Sequence, residues 1–219
     1  MNHKTPGIRA SGIKGLYAIT PDCADTHDLL CRVWMALAGG AQVLQYRNKS
    51  ASAALRLTQA IALRQLTREF SVSFIVNDDV QLAAQVEADG VHLGAADGDI
   101  AAARLALGAH KIIGISCYNK LSWARVAVDA GADYVAFGAF FPSSVKPEAV
   151  LADIELLRQA RAELTVPLVA IGGITLQNGA QLVQAGADAL AIISALFNTA
   201  GIADTAQEFS QLFTRGLAP

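Results

Sequence analysis

The chain is short of cysteine and has no long apolar run, and each shortage excludes a class of protein. Its three cysteines, Cys23, Cys31 and Cys117, lack the spacing of metal ligands, and an odd number argues against a disulfide framework. A reducing compartment is therefore expected, which favours the cytoplasm. Because no apolar run reaches the roughly 18–20 residues of a membrane helix, no membrane partner is expected.

Charge is also scarce. Charged residues make up 16% of the chain and the net charge is -2. A nucleic-acid partner is not expected, since that would require a broad basic surface. Any site for an anionic small molecule must instead be built from a few locally placed cations.

The first 14 residues differ from the rest. Residues 1–14 are polar, contain glycine and proline, and lack the apolar stretch of a signal peptide. They are predicted to form a flexible tail before a single domain at residues 15–219.

Eight short apolar runs with helical patterns between most of them predict the fold. The runs lie near residues 15–20, 42–47, 73–77, 90–93, 111–116, 134–138, 167–171 and 189–193. Most lack polar alternation, as expected of strands that are buried on both faces. A single (β/α)8 TIM barrel is therefore predicted, because such barrels often contain about 200–250 residues. A doubly wound open sheet is the alternative, although no GxGxxG motif follows the first run.

An internal repeat supports this interpretation. Residues 129–133 read DAGAD and residues 184–188 read QAGAD, with a weaker copy in Ala38-Gly39-Gly40-Ala41. Each copy is predicted to be a helix end, a left-handed glycine and the start of a strand.

Polar residues collect just beyond the C-terminal ends of the apolar runs. In a parallel α/β fold these ends open onto one face, so the residues are expected to meet there. Gln45 and Arg47 alternate along a strand and are predicted to face the barrel axis, with Lys49 beyond them. An anion would explain an inward arginine. The alternative is a strand end that reaches into solvent.

Carboxylates follow the third and fourth runs. Asn77, Asp78 and Asp79 come after the third, and Asp97 comes after the fourth. Magnesium takes one or two carboxylates together with phosphate oxygens, and Asp78 and Asp97 suit that role. A helix cap is the alternative, above all for Asp79, and Asp99 competes with Asp97.

Later segments suggest anion binding. Ser116 ends the fifth run, and Lys146 is the one charge of a loop with Gly, Pro and Ser that could wrap a phosphate; an ordinary flexible loop is the alternative. Gly173 and Ser194 follow the last two strands, where barrels often bind phosphate, and Ser194 is expected to cap a short helix. His92 is expected to be a hydrogen-bonded core histidine.

In this order, these segments closely resemble those of thiamine-phosphate synthases, over residues 15–197. The matching segments are QYRNK at 45–49, NDD at 77–79, VHLG at 91–94 with Asp97, GIS at 114–116, GAFFPSSVK at 138–146, IGGI at 171–174 and IS at 193–194. The resemblance implies a magnesium-dependent barrel enzyme. It would join 4-amino-5-hydroxymethyl-2-methylpyrimidine diphosphate to a thiazole phosphate after the diphosphate has left.

The resemblance also implies a role for each residue. The pyrimidine diphosphate would be bound by Gln45, Arg47, Lys49, Asn77, Ser116 and Lys146. The thiazole phosphate would be bound by Ser143, Gly173, Ile193 and Ser194. Magnesium would be held by Asp78 and Asp97. Arg47, Ser116 and Lys146 would act in catalysis.

The chain departs from the family at several positions. Asn48 replaces a common glutamate, Ala95 and Ala96 replace polar residues, and Ser143 and Val145 stand where threonine is common. Val145 cannot donate a hydrogen bond, so one loop contact to the ligand that the resemblance implies is not expected here.

Two other functions are weighed against this one. Thiazole tautomerases share the barrel, but they usually lack the magnesium aspartates and use a histidine where this chain has Tyr118. A non-catalytic phosphate-binding barrel leaves Asp78 and Asp97 without a role. The sequence leaves a homodimer open.

Overall fold

A computed structural model describes residues 12–94, 99–142 and 150–215 as a closed barrel of eight parallel strands. The strands are β1 Gly15–Ile19, β2 Val43–Tyr46, β3 Ser73–Asn77, β4 Gly90–Gly94, β5 Ile112–Tyr118, β6 Tyr134–Phe137, β7 Leu168–Ile171 and β8 Ala189–Ile192. They follow chain order, and β8 closes the ring by pairing with β1, with Tyr17 opposite Ala191. The predicted barrel is confirmed and the open sheet is excluded.

Helices lie between the strands and after the last one. They are α1 Thr26–Ala38, α2 Ala53–Glu69, α3 Val80–Gln85, α4 Ile100–Leu107, α5 Leu121–Asp129, α6 Ile154–Glu163, α7 Gly179–Gln184, α8 Ser194–Phe197 and α9 Ile202–Arg215. Asp79 and Asp99 cap α3 and α4 by accepting backbone N–H groups, as short acidic side chains do. Within the described ranges, no helix combines the length and the apolar character that a bilayer crossing requires.

Two hydrophobic layers hold the barrel together. Alternate strand residues face the surrounding helices, as Leu16 and Ala18 do, or the barrel interior, as Tyr17 and Ile19 do. The interior layer also includes Ile13, which is 1% exposed, so packing begins two residues before β1. Residues 1–11 of the predicted tail lie outside the described ranges.

A repeated ion pair fastens the N-terminal end of the barrel. Asp89, Asp133 and Asp188 directly precede β4, β6 and β8, and we call them the barrel-end aspartates. Each accepts a backbone N–H from the preceding strand and binds an arginine of the helix before that strand. These partners are Phe74 and Arg64 for Asp89, Ile113 and Arg104 for Asp133, and Leu168 and Arg161 for Asp188. Each carboxylate therefore joins a helix to two neighbouring strands.

The barrel-end aspartates explain the internal repeat seen in the sequence. Two residues before the aspartate, the backbone is left-handed, at φ 99° in Gly131 and 109° in Gly186. The next alanine donates its N–H back to the helix, which ends it. Glu87 (φ 52°) begins a further copy before Asp89. The sequence did not reveal this copy, because glutamate stands where the others have glycine.

Candidate active site

A cavity of about 760 Å³ opens at the C-terminal ends of the strands. Nine of the predicted site residues line it: Gln45, Arg47, Lys49, Asn77, Asp78, Ser116, Gly173, Ile193 and Ser194. The other three, Asp97, Ser143 and Lys146, lie outside the described residues. The structure thus brings together side chains that are up to about 150 positions apart in the sequence, as parallel strand ends require.

One side of the cavity carries two cations, Arg47 and Lys49, and we call it the cationic side. The Arg47 guanidinium lies 3.1 Å from the Asp22 carboxylate, which also accepts the backbone N–H of Lys49. Thr20 fixes the Arg47 backbone through two hydrogen bonds. Sequence reasoning missed Asp22, although it follows β1 just as the other site residues follow their strands. Asp22 orients Arg47 at the mouth, where the Lys49 side chain is 58% exposed.

Asp78 stands at the same mouth in a left-handed conformation, with φ 61°. Its N–H donates to the His92 carbonyl at 2.8 Å, which holds this backbone geometry. The Asn77 amide donates to the Asp78 carboxylate at 2.8 Å, and the Lys49 ammonium lies 3.9 Å from it. A left-handed non-glycine residue is uncommon, and such residues cluster at functional sites.

The oxygen ligands at Asp78 suit a magnesium ion that binds together with a phosphate group. Among the described residues, no three His, Cys, Asp or Glu side chains form a metal site by themselves. Magnesium commonly needs only one or two carboxylates when phosphate oxygens supply the other ligands. The Asp78 carboxylate and the Asn77 amide oxygen are hard donors of this kind.

A buried row of hydrogen-bonded side chains crosses the bottom of the cavity. Gln45 Nε2 donates to the Tyr17 hydroxyl (2.9 Å), which contacts the Tyr134 hydroxyl (2.8 Å). The Tyr134 hydroxyl contacts His92 Nδ1 (2.9 Å), and His92 Nε2 contacts Ser116 Oγ (2.8 Å). We call these five residues the floor chain. The prediction of a hydrogen-bonded core histidine is confirmed.

Burial keeps the floor chain uncharged. It lowers the pKa of His92 to about 4 and raises the pKa of Tyr17 and of Tyr134 above the ordinary tyrosine value. His92 is therefore a neutral imidazole at pH 7, with one nitrogen donating and the other accepting.

The low pKa of His92 predicts acid-sensitive stability. The unfolded chain binds this proton below pH 6.5 and the folded chain only below about pH 4. The free energy of unfolding should therefore fall as pH falls from 6.5 to 4, by up to about 3 kcal/mol. Urea unfolding at several pH values measures this slope. His92→Gln should flatten it and the exposed His110→Gln should not; equal slopes in the two variants would contradict the assignment.

The opposite side of the cavity is formed by glycine backbone and a short helix. Gly173 has φ 63°, and a Cβ there would lie 2.4 Å from the Phe141 carbonyl oxygen, so no side chain fits. Ser194 begins α8, but Ile193 occupies the capping position and the Ser194 side chain makes no capping bond. The predicted capping role of Ser194 is therefore wrong, because Ser194 is the first residue of α8 and the residue before it holds the capping position. The Ser194 hydroxyl lies at the cavity edge and makes no capping bond.

An aromatic rim after β5 completes the site and was not anticipated from the sequence. Tyr118, at φ 51°, packs edge-to-face on Trp123 with ring centroids 5.8 Å apart. The Lys120 ammonium lies 4.2 Å from the centre of the Trp123 ring. The position at which tautomerases use histidine is thus a tyrosine that packs on a tryptophan.

Comparison with known proteins agrees with this geometry. The sequence profile described as thiamine monophosphate synthase matches residues 16–196. A thiamine-phosphate synthase of Methylobacillus flagellatus is 60% identical over 92% of this chain and 96% of its own, and one of Nitrosospira multiformis is 53% identical over 93% and 87%. A thiamine phosphate pyrophosphorylase structure from Pyrococcus furiosus, 33% identical, superposes with a TM-score of 0.85 over 97% of this chain and all of its own. The chain therefore belongs to the thiamine monophosphate synthase family.

Proposed function

We propose that this chain is a thiamine-phosphate synthase, a transferase that acts on two small-molecule substrates in the cytoplasm. It would transfer the hydroxymethylpyrimidine group from its diphosphate to thiazole phosphate, releasing pyrophosphate. The observation that carries the proposal is a cavity that combines a cationic side, a neutral floor and a glycine-rich side. Family membership supports the same reaction.

The cationic side suits the diphosphate. Arg47 and Lys49 stand at the mouth beside Asn77, and they can bind its oxygens throughout the reaction. The bond from the pyrimidine methylene to the diphosphate breaks first, which moves negative charge onto the leaving group. Lys146, assigned by resemblance, would add a cation that stabilises this charge most strongly in the transition state.

A metal ion fits the same side. Asp78, with Asp97 by resemblance, would hold Mg²⁺, whose charge when bound would neutralise part of the diphosphate. The neutral floor beneath suits the uncharged aminopyrimidine ring. Gln45 and Ser116 at the ends of the floor chain offer it hydrogen-bonding groups.

The glycine side suits the thiazole phosphate. The close packing of Gly173 exposes backbone rather than a side chain, and Ser194 offers a hydroxyl that is not used for capping. Ser143, by resemblance, and Ile193 would complete this end. The thiazole nitrogen can then attack the pyrimidine carbocation from a position opposite the departing diphosphate.

The experiment that tests the function mixes the purified protein with both substrates and Mg²⁺. Thiamine phosphate and pyrophosphate should form in equal amounts, and omission of either substrate should abolish thiamine phosphate formation. Isomerisation of the thiazole phosphate alone would identify a tautomerase. Saturable binding of both substrates without product would identify a phosphate-binding barrel, and either result would overturn the proposal.

A further inference from the structure

The floor chain connects two residues that reach the substrate cavity from strands three positions apart in the barrel. Gln45 lies on β2 and Ser116 on β5, with Tyr17, Tyr134 and His92 between them. Tyr17 is 1% exposed and Tyr134 is fully buried, so neither hydroxyl has water as an alternative partner. The hydrogens of the chain must therefore be shared among its own members.

Counting these hydrogens shows that the hydrogen bonds of the floor chain all run in one direction, from Gln45 as donor toward Ser116. The Tyr17 oxygen accepts from Gln45, so its one hydrogen goes to the Tyr134 oxygen. Tyr134 in turn donates to His92 Nδ1. A neutral imidazole that accepts at Nδ1 carries its hydrogen on Nε2, and this hydrogen goes to Ser116 Oγ. The Ser116 hydroxyl hydrogen is then left to point into the cavity.

The opposite direction is equally consistent with the bonds between the middle members. If Gln45 turned its carbonyl oxygen toward Tyr17, every donor would become an acceptor, and Ser116 would donate to His92. Ser116 would then offer the cavity only a lone pair, and Gln45 would offer an NH₂ group. The orientation of one amide at β2 thus decides what a serine on β5 can do.

We propose that Tyr17, Tyr134 and His92 are positioning residues that transmit the orientation of the Gln45 amide to Ser116, so that Ser116 presents a hydroxyl donor and Gln45 a carbonyl acceptor to the substrate. An amino group on the substrate fits the Gln45 acceptor. A ring nitrogen or a diphosphate oxygen fits the Ser116 donor. The identity of the substrate rests on the proposed function, whereas the direction of the floor chain does not.

The direction of the hydrogen bonds in the floor chain can be determined on the free protein, because it decides which ring nitrogen of His92 carries the hydrogen. In ¹⁵N-histidine-labelled protein, NMR distinguishes a protonated from an unprotonated ring nitrogen, and His92→Gln identifies the signals among the four histidines. The wild type should carry its hydrogen on Nε2. Gln45→Glu replaces the amide donor with a carboxylate that only accepts, so the chain should reverse and the hydrogen should move to Nδ1.

A matched control uses the same strand segment. Gln42, just before β2 at the far end of the barrel, is exposed, and Gln42→Glu makes the same change in charge. It should leave the His92 hydrogen on Nε2. A wild type protonated on Nδ1, or a Gln45→Glu variant that keeps the wild-type pattern, would overturn the proposal.

Kinetics supply a second test that needs no change at Gln45. Tyr17→Phe removes one hydroxyl three hydrogen bonds away from Ser116 and should lower kcat about fivefold, as expected for one lost hydrogen bond. In a Ser116→Ala background the same change should have a smaller effect on kcat, because Ser116, one of the two groups that it positions, is gone while Gln45 remains. Equal factors in the two backgrounds would mean that the Tyr17 hydroxyl does not act through Ser116.

Tyr46→Phe is the control for this cycle. Its hydroxyl is also buried and donates to Gln59 at 2.8 Å, outside the floor chain. Its loss should lower stability but have the same effect on kcat in both backgrounds. If the wild type makes no thiamine phosphate at all, the proposed function fails, while the NMR result still decides the direction of the floor chain.

Discussion

Asp78→Asn should lower turnover by about 10²–10³-fold, the usual cost of removing one electrostatic element from a transition state. The change removes the charge that we propose holds magnesium against the leaving diphosphate. Asparagine is the suitable replacement, because it tolerates the left-handed backbone of this position. Stability should change little, since the nearby Lys49 pair is exposed and 3.9 Å long.

Asp79→Asn is the matched control for this variant. It removes the same charge from the next residue, yet asparagine can still cap α3. Its turnover should stay within about threefold of wild type. Magnesium binding in the presence of pyrophosphate, measured by calorimetry, should weaken in the first variant only. If Asp78→Asn retained full magnesium-dependent turnover, Asp78 would not be a ligand.

Asp133→Ala should lower the free energy of unfolding by about 2–4 kcal/mol while activity at 25 °C is retained. The Asp133 side chain is 16% exposed and that of its partner Arg104 is 24% exposed. Breaking a buried pair typically costs about 3–5 kcal/mol, and partial exposure reduces this. The Ile113 N–H also loses its acceptor. For a chain of this size, Tm should fall by about 5–15 °C.

The control for this prediction is Asp129→Ala, at the end of α5, where the side chain is exposed. It removes the same charge four residues away and should change stability by less than about 0.5 kcal/mol. Thermal unfolding of both variants, with activity assayed at 25 °C, makes the comparison. Equal stability of the two variants would show that the barrel-end aspartates do not fasten the barrel.

The sequence was most informative where a rule links position to structure. Apolar runs and left-handed glycines predicted the barrel, and the strand-end rule predicted that Gln45 and Asp78 would share a cavity. Asp78 and Asp79 were harder to distinguish, since adjacent aspartates suit both a metal and a cap. Only the backbone geometry assigned the cap to Asp79.

The floor chain could not be predicted in the same way. An inward tyrosine in an apolar run looks like any other core residue, and Tyr17 and Tyr134 are 117 positions apart in sequence. Their hydroxyls meet only because the barrel closes. Glu87 hid a further copy of the repeat for a different reason: the backbone adopts a left-handed geometry that its residue type does not signal.

The barrel-end aspartates also bear on how the chain assembles. Their arginine partners are only 25, 29 and 27 positions away in sequence. Contacts this local close small loops at low entropic cost, and they favour fast folding. Pairing of β8 with β1 joins the two ends of the barrel sequence and has no such short-range contact to help it. Successive quarters of the barrel can therefore form as the chain leaves the ribosome, with closure of the ring as the last step.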